Sequence, residues 1–251
     1  VVSLLPIRGI PLVRPGDPLA DLIVQQAAEW GGFEPENILV VAQKVVSKAE
    51  GRIVRLDEVR PSREAKALAE RTGKDQRLVE LILQESREVV RIRPGLIVVE
   101  DRRGFICANA GIDRSNIEQH GSSEEVALLP ADPDGSAWGL RERIRELTGT
   151  EVGVIINDSH GRAFRQGTVG VAIGLAGLPA VWDKRGDRDL TGYTLHATII
   201  GIADEIAAAA SLLMGAADEA IPAVIVRGAP VPAGDGRATD LQRPRETDLF
   251  R

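Results

Sequence analysis

Four short runs of branched apolar residues punctuate the chain: Ile38-Leu-Val-Val-Ala42, Leu96-Ile-Val-Val99, Val152-Gly-Val-Ile-Ile156 and Ala223-Val-Ile-Val226. Each is too short for a typical helix, and its apolar positions are consecutive rather than alternate, so each reads as a strand buried on both faces. Strands of that kind need helices over them, and the intervening segments carry helix-end signals. Pro18 to Trp30 reads as the first helix. Ser62 is placed to cap Arg63 to Arg71, with Gly73 at the far end. The spacing of Leu78, Val79, Leu81, Ile82 and Val89 extends a helix over Gln76 to Val90. Asp134 or Ser136 opens another that runs through Leu147 and stops at Gly149. Ala203 to Met214 stops at Gly215, which is expected to be left-handed. Thr194 to Ile202 reads as a further, imperfectly alternating strand. The expectation is an α/β (mixed α+β) fold without the regular alternation of a doubly wound sheet. It occupies one domain over residues 1–251, with Pro130–Ser136 as a possible join between two lobes.

Composition narrows the function. The net charge is −6 with both signs interspersed, which argues against a nucleic-acid or membrane-surface partner. Aromatics make up only 3%, too few for base-stacking platforms. The single cysteine, Cys107, excludes an internal disulfide and any multi-cysteine metal site, and its apolar neighbours place it in the core. No apolar run approaches the about 18 residues of a membrane span, and Val1–Pro18 lacks a signal-peptide pattern, so a cytoplasmic protein is expected. The phosphate loops G-x-x-x-x-G-K-[ST] and G-x-G-x-x-G after a strand, and the H-E-x-x-H and G-x-S-x-G motifs, do not occur. His120, His160 and His196 are scattered and define no histidine metal cluster.

Several polar segments follow apolar runs. Val152–Ile156 leads into Asn157-Asp158-Ser159-His160-Gly161-Arg162, which reads as a strand ending abruptly in hard oxygen donors at a crevice. The same residues are turn formers. Asn109-Ala-Gly-Ile-Asp113-Arg-Ser115-Asn116 offers a second carboxylate, or an Asx turn. Lys44 and Lys48 lie one helical turn apart and suit one anion, or a solvated face. Asp218 and Glu219 after Gly215 read as solvated loop charges. Gly167, Gly170, Gly174 and Gly177 permit close backbone approach, for packing or for a ligand.

Together these segments resemble the coenzyme F-420-0:L-glutamate ligases, or γ-glutamyl ligases. The likeness runs in order through Leu5-Pro-Ile-Arg-Gly-Ile-Pro11, Val46-Ser-Lys-Ala-Glu-Gly-Arg52, Asn109-Ala-Gly-Ile-Asp113 with Ser115-Asn116, and Leu129-Pro-Ala-Asp-Pro-Asp-Gly-Ser136. It continues through Gly153-Val-Ile-Ile-Asn-Asp158, Gly161-Arg162, Ala203-Asp-Glu-Ile-Ala207, Leu213-Met-Gly215, Ile221-Pro-Ala-Val224, Val226-Arg-Gly228 and Asp248-Leu-Phe-Arg251.

The resemblance implies a two-lobed mixed-sheet homodimer that adds L-glutamate to the carboxylate end of a deazaflavin precursor, coenzyme F-420-0, and extends the γ-glutamyl tail. GTP would drive the reaction through an acyl phosphate, with two Mg²⁺ or Mn²⁺ ions and K⁺ as a further candidate. It assigns Asp113, Asp158 and Ser159 to metal, and Arg8, Gly9, Ile10, Pro11, Gln43, Lys44, Lys48, Asn116, Met214 and Gly215 to the nucleotide. No covalent nucleophile is expected. Gln43-Lys44 departs from a small hydroxyl pair of family members. Ala216 stands where the family has a metal-binding acidic or amide side chain, so the resemblance implies a second cation held more weakly, or held by Asp218 or Glu219. The fused C-terminal flavin domain of some bacterial relatives is not expected. The alternatives are a metal-dependent phosphatase or phosphotransferase on another substrate, and a non-catalytic nucleotide- or coenzyme-binding protein.

Overall fold

The apolar runs do form strands; three of them pair side by side in the central sheet, while Leu96–Val99 lies in a separate three-stranded sheet with its burial alternating along the strand. The computed structural model describes residues 1–117 and 124–248, so His120 and the last three residues of the Asp248–Arg251 match lie outside the described residues. In chain order the elements are β1 (Ser3–Ile7), α1 (Leu19–Ala27), β2 (Ile38–Ala42), α2 (Gln43–Ala49), β3 (Ile53–Arg55), α3 (Arg63–Thr72), α4 (Gln76–Gln84), β4 (Ser86–Arg93) and β5 (Leu96–Asp101). There follow β6 (Ile106–Ala108), β7 (Glu125–Ala127), α5 (Pro133–Thr148), β8 (Gly153–Arg162), β9 (Arg165–Ala176), β10 (Trp182–Asp183), β11 (Ile199–Ile200), α6 (Ile202–Met214) and β12 (Ala223–Arg227).

A five-stranded sheet, ordered β1-β12-β2-β8-β9, is the centre of the fold. Only β2 and β8 run parallel; the other neighbours are antiparallel. Alternate side chains of its middle strands serve two cores. Leu39, Val41, Val154 and Ile156 meet α1 and α5 on one face, while Val40, Ile155 and Val224 meet α6 on the other. The mixed α/β architecture expected from the sequence is the one observed. A parallel pair needs a long crossover, and here the crossover holds α2, a three-stranded sheet ordered β4-β5-β6, helices α3 and α4, the small β3–β7 pair and α5. Leu56, Leu68, Val79, Ile82, Ile97, Val99 and Val126 form a separate core within it.

Helix ends follow local chemistry. Ser62 accepts a hydrogen bond from Ala65 N at 3.1 Å, and Gly73 closes α3 in the left-handed region. Helix α5 begins earlier than expected: Pro133 takes its first turn, and Asp132 caps it by accepting from Gly135 N at 3.1 Å. Three expectations need larger correction. The helix from Gln76 ends at Gln84, not Val90, because Ser86–Arg93 is drawn into antiparallel pairing with β5. Of Thr194–Ile202 only Ile199–Ile200 forms a strand; the Asp189 carboxylate instead accepts from Thr191 N and Tyr193 N and folds the preceding segment into a turn. Gly215 has positive φ but extended ψ (66°, −161°), so it ends α6 in a glycine-favouring conformation other than the left-handed helical one.

Candidate active site

The site follows from strand direction. Strands β1, β2 and β8 all point the same way, and β12 points back. One row of the sheet reads Ile7, Ala223, Val41, Ile156 and Gly174 across the five strands. Just beyond that row, at one edge, the chain leaves β1 and β2 and enters β12, while β8 runs on past the end of β2. There lie Arg8–Pro11 after β1, Pro222 and the loop before β12, Gln43 and Lys44 after β2, and Asn157 and Asp158 on β8. Ala42 N donates to Pro222 O at 2.8 Å, which ties two of these segments together. The carboxyl ends of neighbouring parallel strands are where α/β crevices form.

The Asn109–Asn116 segment reaches this edge through side chains. The Lys44 ammonium lies 2.8 Å from Asp113 Oδ2 and donates to Ser115 Oγ at 2.8 Å. Asp113 Oδ1 accepts from Ser115 N at 2.8 Å, so the Asx turn does form, while the other carboxylate oxygen faces Lys44. Burial pushes the Asp113 carboxyl up, but the Lys44 hydrogen bond and charge, with the Ser115 donors, outweigh it and hold the group below its usual range. Asn116 Nδ2 donates to Ala217 O at 2.9 Å, joining this segment to the loop after α6. The approach to Asp113 is strained: Asn109, Ala110 and Asn116 are non-glycine residues with φ of 52°, 55° and 55°. Such conformations persist only where the surroundings enforce them, and they cluster at functional sites.

Asp158 does not lie in a loop. Strand β8 continues through Arg162 because β9 pairs with it as far as Arg165, well past the end of β2. The turn formers that suggest a strand end are therefore held extended in a hairpin. Alternation along the strand sends Asp158 and Ser159 to opposite faces, so the two side chains do not converge on a single point. His160 returns to the face of Asp158, with Nε2 2.9 Å from Asp158 Oδ2. In the sequence His160 is one of three scattered histidines. Its i, i+2 relation to Asp158 becomes a signal only once β8 is known to continue. Asn157 is buried on the α6 side, its Nδ2 3.4 Å from Met214 Sδ.

Lys44 is engaged by Asp113, whereas buried Lys48, one turn on, lines an open cavity of about 400 Å³ with Val13, Arg14, Ile53, Ile117 and Glu125. In the loop after α6, Glu219 accepts from Ala217 N at 2.8 Å, and its carboxyl is lowered by backbone donors of its own loop. Cys107 is buried; burial, then the charges of Asp101 and Asp158, push its thiol far up, in keeping with a core residue. Among the glycines, Gly170 is set by packing: a Cβ there would lie 2.6 Å from Ala207 O of α6.

The donor set suits a hard cation in part. Asp113 and Asp158 supply carboxylate oxygens, but among the described residues no three His, Cys, Asp or Glu side chains gather as a metal-binding group. A Mg²⁺ or Mn²⁺ ion there would draw its other ligands from water and phosphate oxygens, as Mg²⁺ commonly does with nucleotides.

The model of the F420-0:Gamma-glutamyl ligase family matches residues 8–228. The chain belongs to this family. It is 51% identical to the coenzyme F420:L-glutamate ligase of Methanothermobacter thermautotrophicus, covering 100% of this chain and 99% of that one. The corresponding ligase of Methanopyrus kandleri is 50% identical over 98% of this chain and 97% of its own. That of Archaeoglobus fulgidus is 49% identical over 100% and 96%. The edge residues of this family member, from Arg8 to Met214, all lie inside the matched span. Among the described residues no helix is long and apolar enough to cross a membrane.

Proposed function

We propose that this protein joins L-glutamate to the terminal carboxylate of coenzyme F-420-0 at the expense of GTP, extending a γ-glutamyl tail. The observation that carries the reading is one sheet edge, where Arg8–Pro11 follow β1, Lys44 follows β2 and Asp158 extends β8, with Asp113 ion-paired to Lys44 and Asn116 bonded to Ala217 of the loop after α6. The chain in which they meet is about half identical to three L-glutamate ligases over its full length.

A carboxylate is a poor electrophile, so amide formation needs an activated acyl group. In the proposed sequence a precursor carboxylate oxygen attacks the γ-phosphorus of GTP, and GDP leaves. The glutamate amine then attacks the acyl carbon of the acyl phosphate, its surplus proton is lost, and inorganic phosphate departs. A bound divalent cation would neutralise the charge of the transferring phosphoryl group. The chain's own part is to position and to balance charge. Asp113 and Asp158 present carboxylates at the edge, Asn116 braces the loop after α6, and Lys48 offers an ammonium from the second turn of α2. Nothing in these steps requires a covalent enzyme nucleophile.

Glutamate-dependent GDP release tests the proposal. A ligase forms GDP only when precursor and glutamate are both present. Phosphate release that ignores glutamate would instead indicate a phosphatase, and nucleotide binding without turnover would indicate a binding protein. Lys48 provides a second check: Lys48→Ala should weaken GTP binding by about tenfold or more while guanosine loses much less, as expected for a charge-assisted phosphate contact. Equal losses in a calorimetric titration would place Lys48 away from the phosphates.

A further inference from the structure

We propose that His160 is a positioning residue for Asp158, its Nε2–H holding one carboxylate oxygen so that the other is presented to a divalent cation. The inference rests on the cation role proposed above for Asp158 and adds a residue to which neither the sequence motifs nor the family likeness assigns a role.

The geometry is local. His160 and Asp158 share a face of the same strand, and Nε2 lies 2.9 Å from Oδ2, a full hydrogen bond. An ionised carboxylate only accepts, so the imidazole is the donor. Both side chains are largely withdrawn from water, at 14% and 15% exposure, which limits solvent competition for the bond. The imidazole has its own support: Phe105 meets it edge-on at 6.4 Å with an interplanar angle of 71°. On the α6 side stands Asp204, whose Oδ1 accepts from Ala172 N at 2.9 Å. Burial pushes the Asp204 carboxyl up, opposed by that backbone donor and by the charge of His160, so the imidazole is within electrostatic reach of both carboxylates. The result is a carboxylate whose rotation is restricted by a ring that is itself packed. Ligating carboxylates are commonly oriented in this way, and removing such a partner typically weakens metal binding by about 10- to 100-fold.

The test uses the full chain with GDP, titrated with Mn²⁺ and read by the electron paramagnetic resonance signal of the free ion. Four variants are compared with wild type: Asp158→Asn, His160→Gln, His160→Phe and His160→Asn. Phe retains the edge contact with Phe105 but has no donor, and Asn has a donor too short to reach Oδ2. Both should weaken Mn²⁺ binding by roughly tenfold or more, with thermal midpoints near wild type. Gln places an N–H at the distance of Nε2 and should restore binding to within about threefold, on the same scale. If His160→Phe or, should it fold poorly, His160→Asn binds Mn²⁺ like wild type while Asp158→Asn does not, the positioning role is overturned and the cation reading stands. Gln behaving as badly as Phe would also overturn it, because the imidazole would then act as a ligand or a packing group. Unchanged Mn²⁺ binding in Asp158→Asn would remove the cation reading and this role together.

Discussion

Asp158→Asn is expected to lower glutamate-dependent GDP release by about a thousandfold while leaving the protein folded, the scale seen when a preorganised electrostatic group is removed from a reaction centre. The substitution keeps the shape and replaces one carboxylate oxygen with an amide nitrogen. It removes the negative charge at the point where β8 passes the end of β2. The His160 N–H keeps an acceptor if the amide oxygen takes the place of Oδ2, so the hairpin should not loosen. Asp158 lies outside the apolar cores, and its loss should cost no more than about 1 kcal/mol of stability. The readouts are a coupled GDP assay at saturating metal and a thermal melt. Wild-type turnover in the variant would overturn the role given to Asp158.

Gly174→Ala is expected to destabilise the fold by about 3 kcal/mol, the upper end of the usual range for forcing a methyl group into a filled space. In a chain of this length that corresponds to a fall of roughly 6–12 °C in the melting midpoint. A Cβ at Gly174 would stand 2.3 Å from Pro133 O and 2.7 Å from Pro133 Cβ, at the first turn of α5. That turn cannot easily retreat. Asp134 Oδ1 accepts from Leu175 N at 2.9 Å and from Ala238 N at 3.1 Å, pinning α5 to β9 and to the chain that follows β12. Gly139→Ala is the control. It lies within α5, and apart from its chain neighbours and the helix's own backbone no atom comes within 4 Å of its added methyl, so it should be neutral or stabilising by up to about 1 kcal/mol. Equal midpoints for the two variants in a denaturant titration would show that α5 shifts freely on the sheet.

Much of this architecture is written locally. Ile38–Ala42, Val154–Ile156 and Ala223–Val226 are strands because branched residues in unbroken apolar runs suit a sheet covered on both faces. Ser62, Gly73 and Gly149 mark helix ends because a cap needs only its nearest neighbours. Asp113, Asp158 and Lys44 stand out as polar groups following apolar runs. The misread segments are those where a distant partner overrides local preference. Val89 fits the helical spacing of Leu78 and Ile82, yet β5 recruits it as a strand. Asn157, Asp158, Ser159 and Gly161 are turn formers, yet β9 holds them extended, and that pairing alone brings His160 onto the face of Asp158.

The series Gly167, Gly170, Gly174 and Gly177 is equally suited to a ligand or to a helix, and only the placement of α5 and α6 assigns Gly170 and Gly174 to packing. The site itself is a product of strand order. Arg8, Lys44, Asp158 and the loop before β12 share an edge because β12 inserts between β1 and β2, and β8 pairs parallel to β2 across a long crossover. Composition and periodicity determine which segments become strands and which faces they bury. Which strands are neighbours, and in what register, depends on hydrogen bonds and side-chain packing between remote segments, where a slip of one residue would turn every side chain to the other face.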